Sequence, residues 1–309
     1  MKAIAINRYG GPEVVEYVEL PDPKVAPDTV LVRVRAAGVN PVDWQVREGR
    51  LDAVVDAHFP LIMGWDVAGV VEQVGAAVTE YQVGDEVMGY VRKDAIQHGT
   101  YAELVAAPVR TLAPKPAVLS WAQAAGLPLA GLTAYQGLVH ALAIGTGDTL
   151  LIHAAAGGVG GLATQIAVAR GARVIGTASA HNHDYLRSLG AEPVSYGEGL
   201  VERVRALAPD GVDAAFALVG GGEPLDSSRA LVKDPARIVS IVDPRVLAIG
   251  GRLVFVRPDA ADLAALGELV RSGRLTVTVA STFPLAQAAS AQLLSAEGRT
   301  RGKIVLLVS

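Results

Sequence analysis

A glycine-rich loop at residues 153–161, HAAAGGVGG, has the composition of a phosphate-binding turn. It follows the apolar run 149–152 and opens a segment with helical spacing, the context that a dinucleotide-binding fingerprint G-x-G-x-x-G needs. Aligned with that fingerprint, the segment reads Ala155, Ala156, Gly157, Gly158, Val159 and Gly160. Gly157 would let the backbone approach a pyrophosphate, Gly160 would let the helix pack on the strand, and Ala155 replaces the first glycine. The loop therefore predicts a dinucleotide site, and the alternative is an ordinary glycine-rich turn.

The segment after the next strand favours NADP(H) over NAD(H). An NAD-preferring site places Asp or Glu at the end of that strand, about 20 residues further on, to hold the ribose 2′-hydroxyl. Here the strand ends in TAS (177–179), and no acidic residue comes before Asp184. Four side chains are candidates to meet a 2′-phosphate instead: Ser179, His181, His183 and Arg187. The alternative for each is simple solvent exposure after a strand.

Three further segments follow predicted strands of the same sheet. Ligands of open α/β sheets bind at the carboxyl ends of the strands. The predicted cofactor contacts from these segments are Val219, Ile241, Val242, Phe255 and Val256.

Composition excludes several classes of site. The 309 residues include no cysteine, which removes disulfides, thiolate nucleophiles and cysteine-based metal sites. A net charge of −4 argues against nucleic acid as the main partner. The start, MKAIAINRYGG, lacks the form of a signal peptide, and no apolar run reaches the roughly 18 residues of a membrane span. We therefore expect a cytoplasmic protein that binds neither nucleic acid nor membrane.

The chain has two parts with different sequence patterns. Short β-branched runs bounded by Gly, Pro and Asp fill the first part, which predicts a β-rich domain. From about residue 119, strands alternate with helical segments, which predicts βαβ units and a parallel sheet. The fold class is therefore α/β, with a β-rich domain at 1–118 and 259–309 and a doubly wound, Rossmann-type domain at 119–258.

Seven segments in order resemble the zinc-independent quinone oxidoreductase branch of the medium-chain dehydrogenase/reductase superfamily. They are AGVNPVDW (37–44), GWDVAGVVEQVG (64–75), VGDEVMGY (83–90), GTYAEL (99–104), LPLAGLTAYQGL (127–138), HAAAGGVG (153–160) and RGKIVL (301–306). The resemblance implies a GroES-like domain built from both ends of the chain, an inserted Rossmann domain, and an active-site cleft between them.

The resemblance also implies roles for individual residues. Asn40 and Asp43 would lie near the nicotinamide ribose and the substrate, with Trp44 close by, and Thr133 would contact the nicotinamide end. Asn40 has the alternative of a turn residue before Pro41. Two cofactor contacts rest on the resemblance alone: Tyr196 near the adenosine 2′-phosphate and Lys303 in the tail. Lys303 has the alternative of an exposed lysine that starts a strand.

Zinc ligands are missing from the positions where zinc-dependent relatives carry them. The first position falls near Asp43, the second is Trp65, and the third lies in 128–131, which offers no thiolate. Two aspartates do not make a three-ligand tetrahedral site, so we expect no metal.

Zinc-free hydride transfer to an electron-poor acceptor is the chemistry that remains. The expected function is NADPH-dependent reduction of a quinone or an α,β-unsaturated carbonyl compound. Trp44 stands where many relatives carry an aromatic hydroxyl, and an indole is not an acid, so solvent is an alternative proton source. Two other functions stay open: a dedicated enone reductase of a metabolite pathway, and a crystallin-like cofactor-binding protein with an RNA-binding or structural role.

We also expect a homodimer. Relatives commonly pair the edge strands of two Rossmann sheets, and the corresponding edge here is Arg252–Val256. An apolar edge strand left unpaired invites association. The alternative is that the C-terminal segment of the same chain covers this edge.

Overall fold

A computed structural model describes the whole chain, Met1–Ser309. The first nine strands are β1 Lys2–Ile6, β2 Glu16–Glu19, β3 Thr29–Val39, β4 Ala57–Ile62, β5 Asp66–Val74, β6 Glu86–Tyr90, β7 Ile96–His98, β8 Leu104–Pro108 and β9 Leu112–Pro114. The other strands are β10 Thr149–His153, β11 Arg173–Thr177, β12 Glu192–Val194, β13 Ala214–Ala217, β14 Ile238–Ser240, β15 Arg252–Leu253, β16 Val279–Pro284 and β17 Lys303–Leu307. The α-helices are α1 Pro41–Arg47, α2 Trp121–Gly126, α3 Pro128–Tyr135, α4 Gly158–Ala169, α5 His183–Ser188, α6 Leu200–Leu207, α7 Gly222–Leu231, α8 Ala260–Arg271 and α9 Ala288–Ala296.

The chain forms two compact units. The first comprises Met1–Leu129, Arg257–Arg271 and Val277–Ser309, and the second comprises Ala130–Val256 and Ser272–Thr276. These units differ from the predicted domain boundaries at 118/119 and 258/259, which stay a prediction. Residues 119–129 join the first unit because α2 packs against β3 and β5. The short piece 272–276 joins the second unit, where the Gln165 side chain accepts hydrogen bonds from the N–H and the hydroxyl of Thr276.

The first unit is rich in β-structure, as predicted. Its larger sheet has the strand order β16-β17-β3-β5-β6-β9, with β8 also paired to β3, and a smaller sheet has the order β2-β1-β4-β7. The central strand β3 buries Val32 and Val34 and exposes Arg33 and Arg35, the two-residue alternation of a strand with one face on the core.

The second unit contains a parallel sheet of six strands in the order β12-β11-β10-β13-β14-β15. Counted from β10, this is the order 3-2-1-4-5-6 of a dinucleotide-binding sheet, which confirms the predicted doubly wound architecture. The order reverses between β10 and β13, the point at which such sheets open a ligand crevice. Because all six strands run the same way, their carboxyl ends share one edge.

The helices of this fold are short. The two longest, α4 and α8, have 12 residues each. A helix needs about 20 apolar residues to cross a bilayer, and no helix here has the length and apolarity for that.

Candidate functional site

Two glycines of the loop have different surroundings: Gly160 lies close to backbone atoms, whereas Gly157 borders open space. A Cβ on Gly160 would lie 2.3 Å from the Ala154 carbonyl oxygen, so α4 can pack against the end of β10 only with glycine there. A Cβ on Gly157 would meet that same oxygen at 3.4 Å and nothing else within 4 Å. Gly157 is the N-cap of α4, and no side chain caps the helix. The loop therefore leaves open space beside the free N–H groups of a helix start, which fits a pyrophosphate.

The predicted cofactor contacts collect at the carboxyl edge of the six-stranded sheet. The glycine loop follows β10, Ser179 and His181 follow β11, and Tyr196 follows β12. Val219 follows β13, Ile241 and Val242 follow β14, and Phe255 and Val256 follow β15.

Three apolar side chains at this edge are open to solvent. Val219, Val242 and Phe255 are 45%, 50% and 58% exposed. Each comes two residues after the end of one of three neighbouring strands, β13, β14 and β15. An apolar surface at this place fits the rings of a dinucleotide, so the edge as a whole fits the cofactor that the sequence predicts.

The predicted 2′-phosphate residues divide into two groups. The Ser179 hydroxyl lies 3.4 Å from Nε2 of exposed His181 and accepts a hydrogen bond from Asn182 at 3.3 Å. Arg187, in contrast, forms an ion pair of 2.6 Å with Asp184, and Nε2 of His183 is buried without a hydrogen-bond partner. Ser179 and His181 therefore stay the predicted contacts of a 2′-phosphate.

Tyr196 lies in a loop that a nearby arginine holds in place. Its side chain is 59% exposed, and the Arg203 guanidinium donates to the carbonyl oxygens of Ser195, Tyr196, Gly197 and Glu198. The guanidinium of Arg203 is thus committed to the backbone of this loop.

A buried polar cluster in the first unit brings together Asn40, Asp43, Asp66, Tyr101 and Lys303. Strand pairing explains the convergence. β3 pairs with β17 so that Val39 faces Ile304, and β3 pairs with β5 so that Ala36 faces Ala68. These registers bring the residues that end β3 beside those that begin β17 and β5. The cluster is thus set by pairings between distant parts of the chain.

The amide of Asn40 bridges two charged groups of this cluster. Its Nδ2 donates to Asp66 Oδ2 at 2.9 Å, and its Oδ1 accepts a hydrogen bond from the Lys303 ammonium. The reverse orientation of the amide would point its N–H groups at the ammonium and its oxygen at the carboxylate. Lys303 Nζ lies 4.0 Å from Asp66 Oδ2, and Asp66 Oδ1 also accepts from the Leu129 N–H at 2.7 Å. Both ends of Asn40 are therefore occupied by protein.

Asp43 ties the start of α1 to Tyr101. Its Oδ2 accepts from the Asn40 backbone N–H at 2.8 Å and from the Tyr101 hydroxyl at 2.7 Å. The Tyr101 ring lies against Gly64, where a Cβ would come within 2.1 Å of the ring and where φ is +84°. Glycine at 64 therefore permits both the backbone conformation and the position of the ring.

Burial dominates the electrostatics of the cluster. It raises the pKa of Asp43 to about 7, and the hydrogen bond from Tyr101 offsets part of that rise. Burial also raises the pKa of Asp66 and lowers the pKa of Lys303. Asp43 therefore takes up a proton at a much higher pH than an ordinary aspartate.

The remaining predicted residues have different surroundings. Lys303 is 5% exposed, which excludes the alternative of an exposed lysine. Trp44, the next residue of α1 after Asp43, is half-buried beneath the Arg50 guanidinium, which lies 5.0 Å from the ring centre. Thr133 is buried on α3 in the second unit. The structure thus brings Asn40, Asp43 and Lys303 together, and the roles of all these residues stay predictions.

The residues at the zinc positions do not fit a zinc ion. Trp65 is buried with its ring edge-on to Tyr90 at 6.1 Å, and Asp43 is engaged by Asn40 and Tyr101. No group of three or more His, Cys, Asp or Glu side chains is placed to hold a metal.

Three residues in this region escaped the sequence reasoning. Asp66 and Tyr101 stand in GWD and GTY, segments that the sequence analysis used only for the resemblance or for zinc. Lys93, in the loop between β6 and β7, is half-buried, and its amine donates to the His98 carbonyl at 3.2 Å. Burial lowers the pKa of Lys93 to about 8. Nothing in the sequence around Lys93 signals that burial.

Two family models match the chain. One describes the alcohol dehydrogenase GroES-like domain and matches residues 26–117, and the other describes a zinc-binding dehydrogenase and matches residues 189–306. An NADPH-dependent alkenal/one oxidoreductase of Arabidopsis thaliana chloroplasts is 35% identical over 99% of this chain and 79% of its own length.

Solved structures of oxidoreductases are also similar to the whole chain. The quinone oxidoreductase from Coxiella burnetii is 34% identical, with a TM-score of 0.87 over 100% of this chain and 99% of that one. A mycobacterial protein solved as a complex with NADPH is 32% identical, with a TM-score of 0.84 over 99% of this chain and 100% of that one.

Proposed function

The chain belongs to the quinone oxidoreductase branch of the medium-chain dehydrogenase/reductase superfamily, and on that premise we propose that it is an NADPH-dependent, zinc-free reductase. Its acceptors would be quinones or α,β-unsaturated carbonyl compounds. The observation that carries the proposal is the glycine cradle, which is open at Gly157 and closed at Gly160. That cradle lies at the same sheet edge as the exposed apolar residues Val219, Val242 and Phe255.

The chain's own residues would bind and orient the cofactor. The N–H groups at the start of α4 would hold the pyrophosphate, and the apolar edge would cover the rings and exclude water. When bound, the nicotinamide supplies two electrons and a hydrogen as hydride to the acceptor. The proton that completes the reduction would come from solvent, because Trp44 offers only a hydrogen bond.

We propose NADPH as the cofactor because no acidic residue ends β11. An acid there would hold the 2′-hydroxyl of NADH and repel a 2′-phosphate. Ser179 and His181 would take the phosphate, and the two relatives named with NADPH support the same choice. The predicted homodimer and cytoplasmic location belong to the proposal as well.

The decisive experiment follows NADPH oxidation by its absorbance with a panel of quinones and enones. We expect turnover with at least one acceptor of either class. Turnover should survive a chelator, and elemental analysis should find no stoichiometric zinc. No turnover with any member of the panel would contradict the proposal, and an activity-linked metal would contradict its zinc-free form.

A further inference from the structure

Ala154, the first residue after β10, has a backbone conformation that residues with a side chain rarely adopt. Its φ is +55°, in the left-handed region where the Cβ crowds the backbone. Ala143 is the other residue besides glycine with a positive φ, but it follows the cap of a helical segment, where a left-handed residue is common. No helix precedes Ala154, so contacts with the rest of the protein must hold it in this conformation.

Thr177, the last residue of β11, supplies two of those contacts. The parallel pairing of β10 with β11 ends at Ile152 and Gly176. Beyond that point the Ala154 N–H donates to the Thr177 hydroxyl oxygen at 3.1 Å, and the Ala155 N–H donates to the Thr177 carbonyl oxygen at 3.0 Å. Thr177 is 2% exposed, so water has little access to its hydroxyl. A buried residue of the neighbouring strand therefore fixes the start of the glycine loop.

The left-handed residue begins the turn that leads into α4. The Ala154 carbonyl oxygen accepts a hydrogen bond from the Gly157 N–H at 3.1 Å, which closes a turn over residues 154–157. The same oxygen packs against Gly160 in the first turn of the helix, where a Cβ would come within 2.3 Å of it. If Ala154 left the left-handed region, this oxygen would move, and both contacts would be lost. The direction of the N–H groups at the helix start therefore depends on the conformation of Ala154.

We propose that Thr177 is a positioning residue for the dinucleotide: its hydroxyl holds Ala154 in the left-handed conformation and so orients the start of α4 toward the pyrophosphate. The inference rests on the proposed function, since it assigns the preparation of that cofactor site to one side chain. Thr177 acts in this role through the backbone of the loop. A loop that is ordered before binding loses less conformational entropy when the cofactor binds, which increases affinity.

Replacement of Thr177 by valine removes the hydroxyl and keeps the size and the β-branching of the side chain. We expect the Kd for NADPH to rise about tenfold by calorimetric titration, as the loss of one hydrogen bond would give. The Kd for NADH should rise by the same factor, because both cofactors carry the pyrophosphate. Thr177→Ser keeps the hydroxyl and should bind NADPH with a Kd within about threefold of the wild-type value.

Thr164→Val is the matched control. Thr164 lies on α4 and is fully buried, and its hydroxyl has no hydrogen-bond partner in the protein. Its replacement therefore removes a buried hydroxyl from the same unit without breaking a hydrogen bond, and NADPH should bind as it does to wild type. Wild-type affinity in a folded Thr177→Val variant, or weaker binding of NADPH alone, would overturn the inference.

A second substitution separates positioning from a general contribution to folding. Glycine adopts a positive φ without steric cost, so the backbone of Ala154→Gly reaches the left-handed region without help from the hydroxyl. In the Ala154→Gly background, Thr177→Val should therefore raise the Kd for NADPH by less than about threefold. A purely structural role of Thr177 would give the same rise in both backgrounds, and that result would overturn the inference.

Hydrogen exchange in the wild type is independent of how any variant folds. In protein labelled with ¹⁵N-alanine, the resonance lost in Ala154→Gly identifies the Ala154 amide. Without cofactor, we expect this amide to exchange at least about 100-fold more slowly than in an unstructured chain, because the Thr177 hydroxyl already binds it. Exchange at the rate of an unstructured chain would overturn the inference.

The outcomes separate the two proposals. A wild type that binds NADPH, together with a Thr177→Val variant that binds it equally well, would overturn the inference and leave the reductase function intact. A wild type that binds no NADPH and reduces no acceptor would instead overturn the proposed function.

Discussion

Asp43, Asp66 and Lys303 place two carboxyl groups and one amine in the interior of the first unit. Buried charges of this kind are stable only when they are paired or when they change protonation state. Asn40 links Asp66 to Lys303, whereas Asp43 has only the Asn40 N–H and the Tyr101 hydroxyl as donors. Burial therefore favours the neutral form of Asp43, whose pKa rises to about 7.

This protonation predicts how stability depends on pH. Because the pKa of Asp43 is about 7 in the folded protein and 3.8 when unperturbed, the folded state binds more protons between pH 4 and 7. Stability should therefore fall as pH rises through that window, by up to about 4 kcal/mol from this group alone. Asp43→Asn keeps an oxygen acceptor and should flatten the slope, as measured by urea unfolding at pH 5, 6, 7 and 8.

Asp66 contributes to the slope with the same sign, so comparison with wild type isolates the part that belongs to Asp43. Asp210→Asn, at an exposed site, is the matched control and should retain the wild-type slope. Equal slopes in wild type and Asp43→Asn would show that Asp43 is ionised across the whole range.

The residue at the end of β11 predicts cofactor preference. Ser179→Asp would set a carboxylate beside the 2′-phosphate of NADPH, whereas the same carboxylate could accept a hydrogen bond from the 2′-hydroxyl of NADH. We expect the Kd for NADPH to rise by about tenfold or more and the Kd for NADH to change little or improve, by calorimetric titration. The control variant Ser188→Asp, which carries its carboxylate at the end of α5, should bind NADPH and NADH with wild-type affinity. Wild-type binding of NADH as tight as that of NADPH would contradict the assignment.

At the scale of elements, two glycines of the loop between β10 and α4 have different expected roles. Gly160 allows the helix to pack on the strand, and Gly157 leaves space for the cofactor. Gly160→Ala should destabilise the fold by about 1–3 kcal/mol, because its Cβ would meet the Ala154 oxygen at 2.3 Å. Gly157→Ala should unfold at the wild-type temperature but bind NADPH more weakly, because its Cβ enters space that is otherwise open. Thermal unfolding and NADPH titration of both variants measure the two effects. If Gly157→Ala binds NADPH with wild-type affinity, the pyrophosphate does not bind beside Gly157.

Sequence patterns predicted the elements that rest on local periodicity. The β-branched runs at Lys2–Ile6 and Glu86–Tyr90 predict strands, and the structure has strands with those bounds; the helical spacing of residues 159–170 predicts a helix, which the structure has as α4, Gly158–Ala169. Helices of six to eight residues, such as α1 and α2, escaped prediction because they are too short to show a period. The apolar pattern at Thr276–Val279 predicts a strand there, and this is wrong in position: β16 starts at Val279, since Thr276 is hydrogen-bonded to Gln165.

The same difference between local and long-range sequence signals applies to the candidate site. Strand ends in a parallel sheet share an edge, so the residues at the carboxyl ends could be grouped from the sequence. The cluster around Asn40 could not, because Asn40 and Lys303 are 263 residues apart and meet only through the register of β3 and β17. No local pattern carries that register.

At the scale of the whole molecule, β15 leaves one side of the parallel sheet open. It is a two-residue strand at the sheet edge, and its Leu253 side chain is 41% exposed. The Val254 N–H donates inward to the Ser240 carbonyl, so by alternation the Leu253 N–H points toward the open edge. A second copy of the chain could pair with that edge, which keeps the homodimer as our prediction.

Proline substitutions at these two neighbours test the dimer. Leu253→Pro removes only the outward N–H and should leave a folded monomer of 31.9 kDa, half the mass expected for wild type by light scattering. Val254→Pro removes the bond to Ser240 and should lower the unfolding temperature as well. A wild-type mass of 31.9 kDa at micromolar concentration would contradict the prediction.

The half-buried amine of Lys93 has a consequence for the lifetime of the protein. With a pKa of about 8, about a quarter of this amine is uncharged at pH 7.5, against about one in a thousand for an ordinary lysine. Cysteine thiolates are the side chains that react fastest with aldehydes and conjugated carbonyl compounds, and this chain has no cysteine. An uncharged amine such as that of Lys93 is then a nucleophile that could form imines or Michael adducts with such compounds. In a chain without cysteine, covalent modification by carbonyl compounds would therefore fall on an amine and not on a thiol.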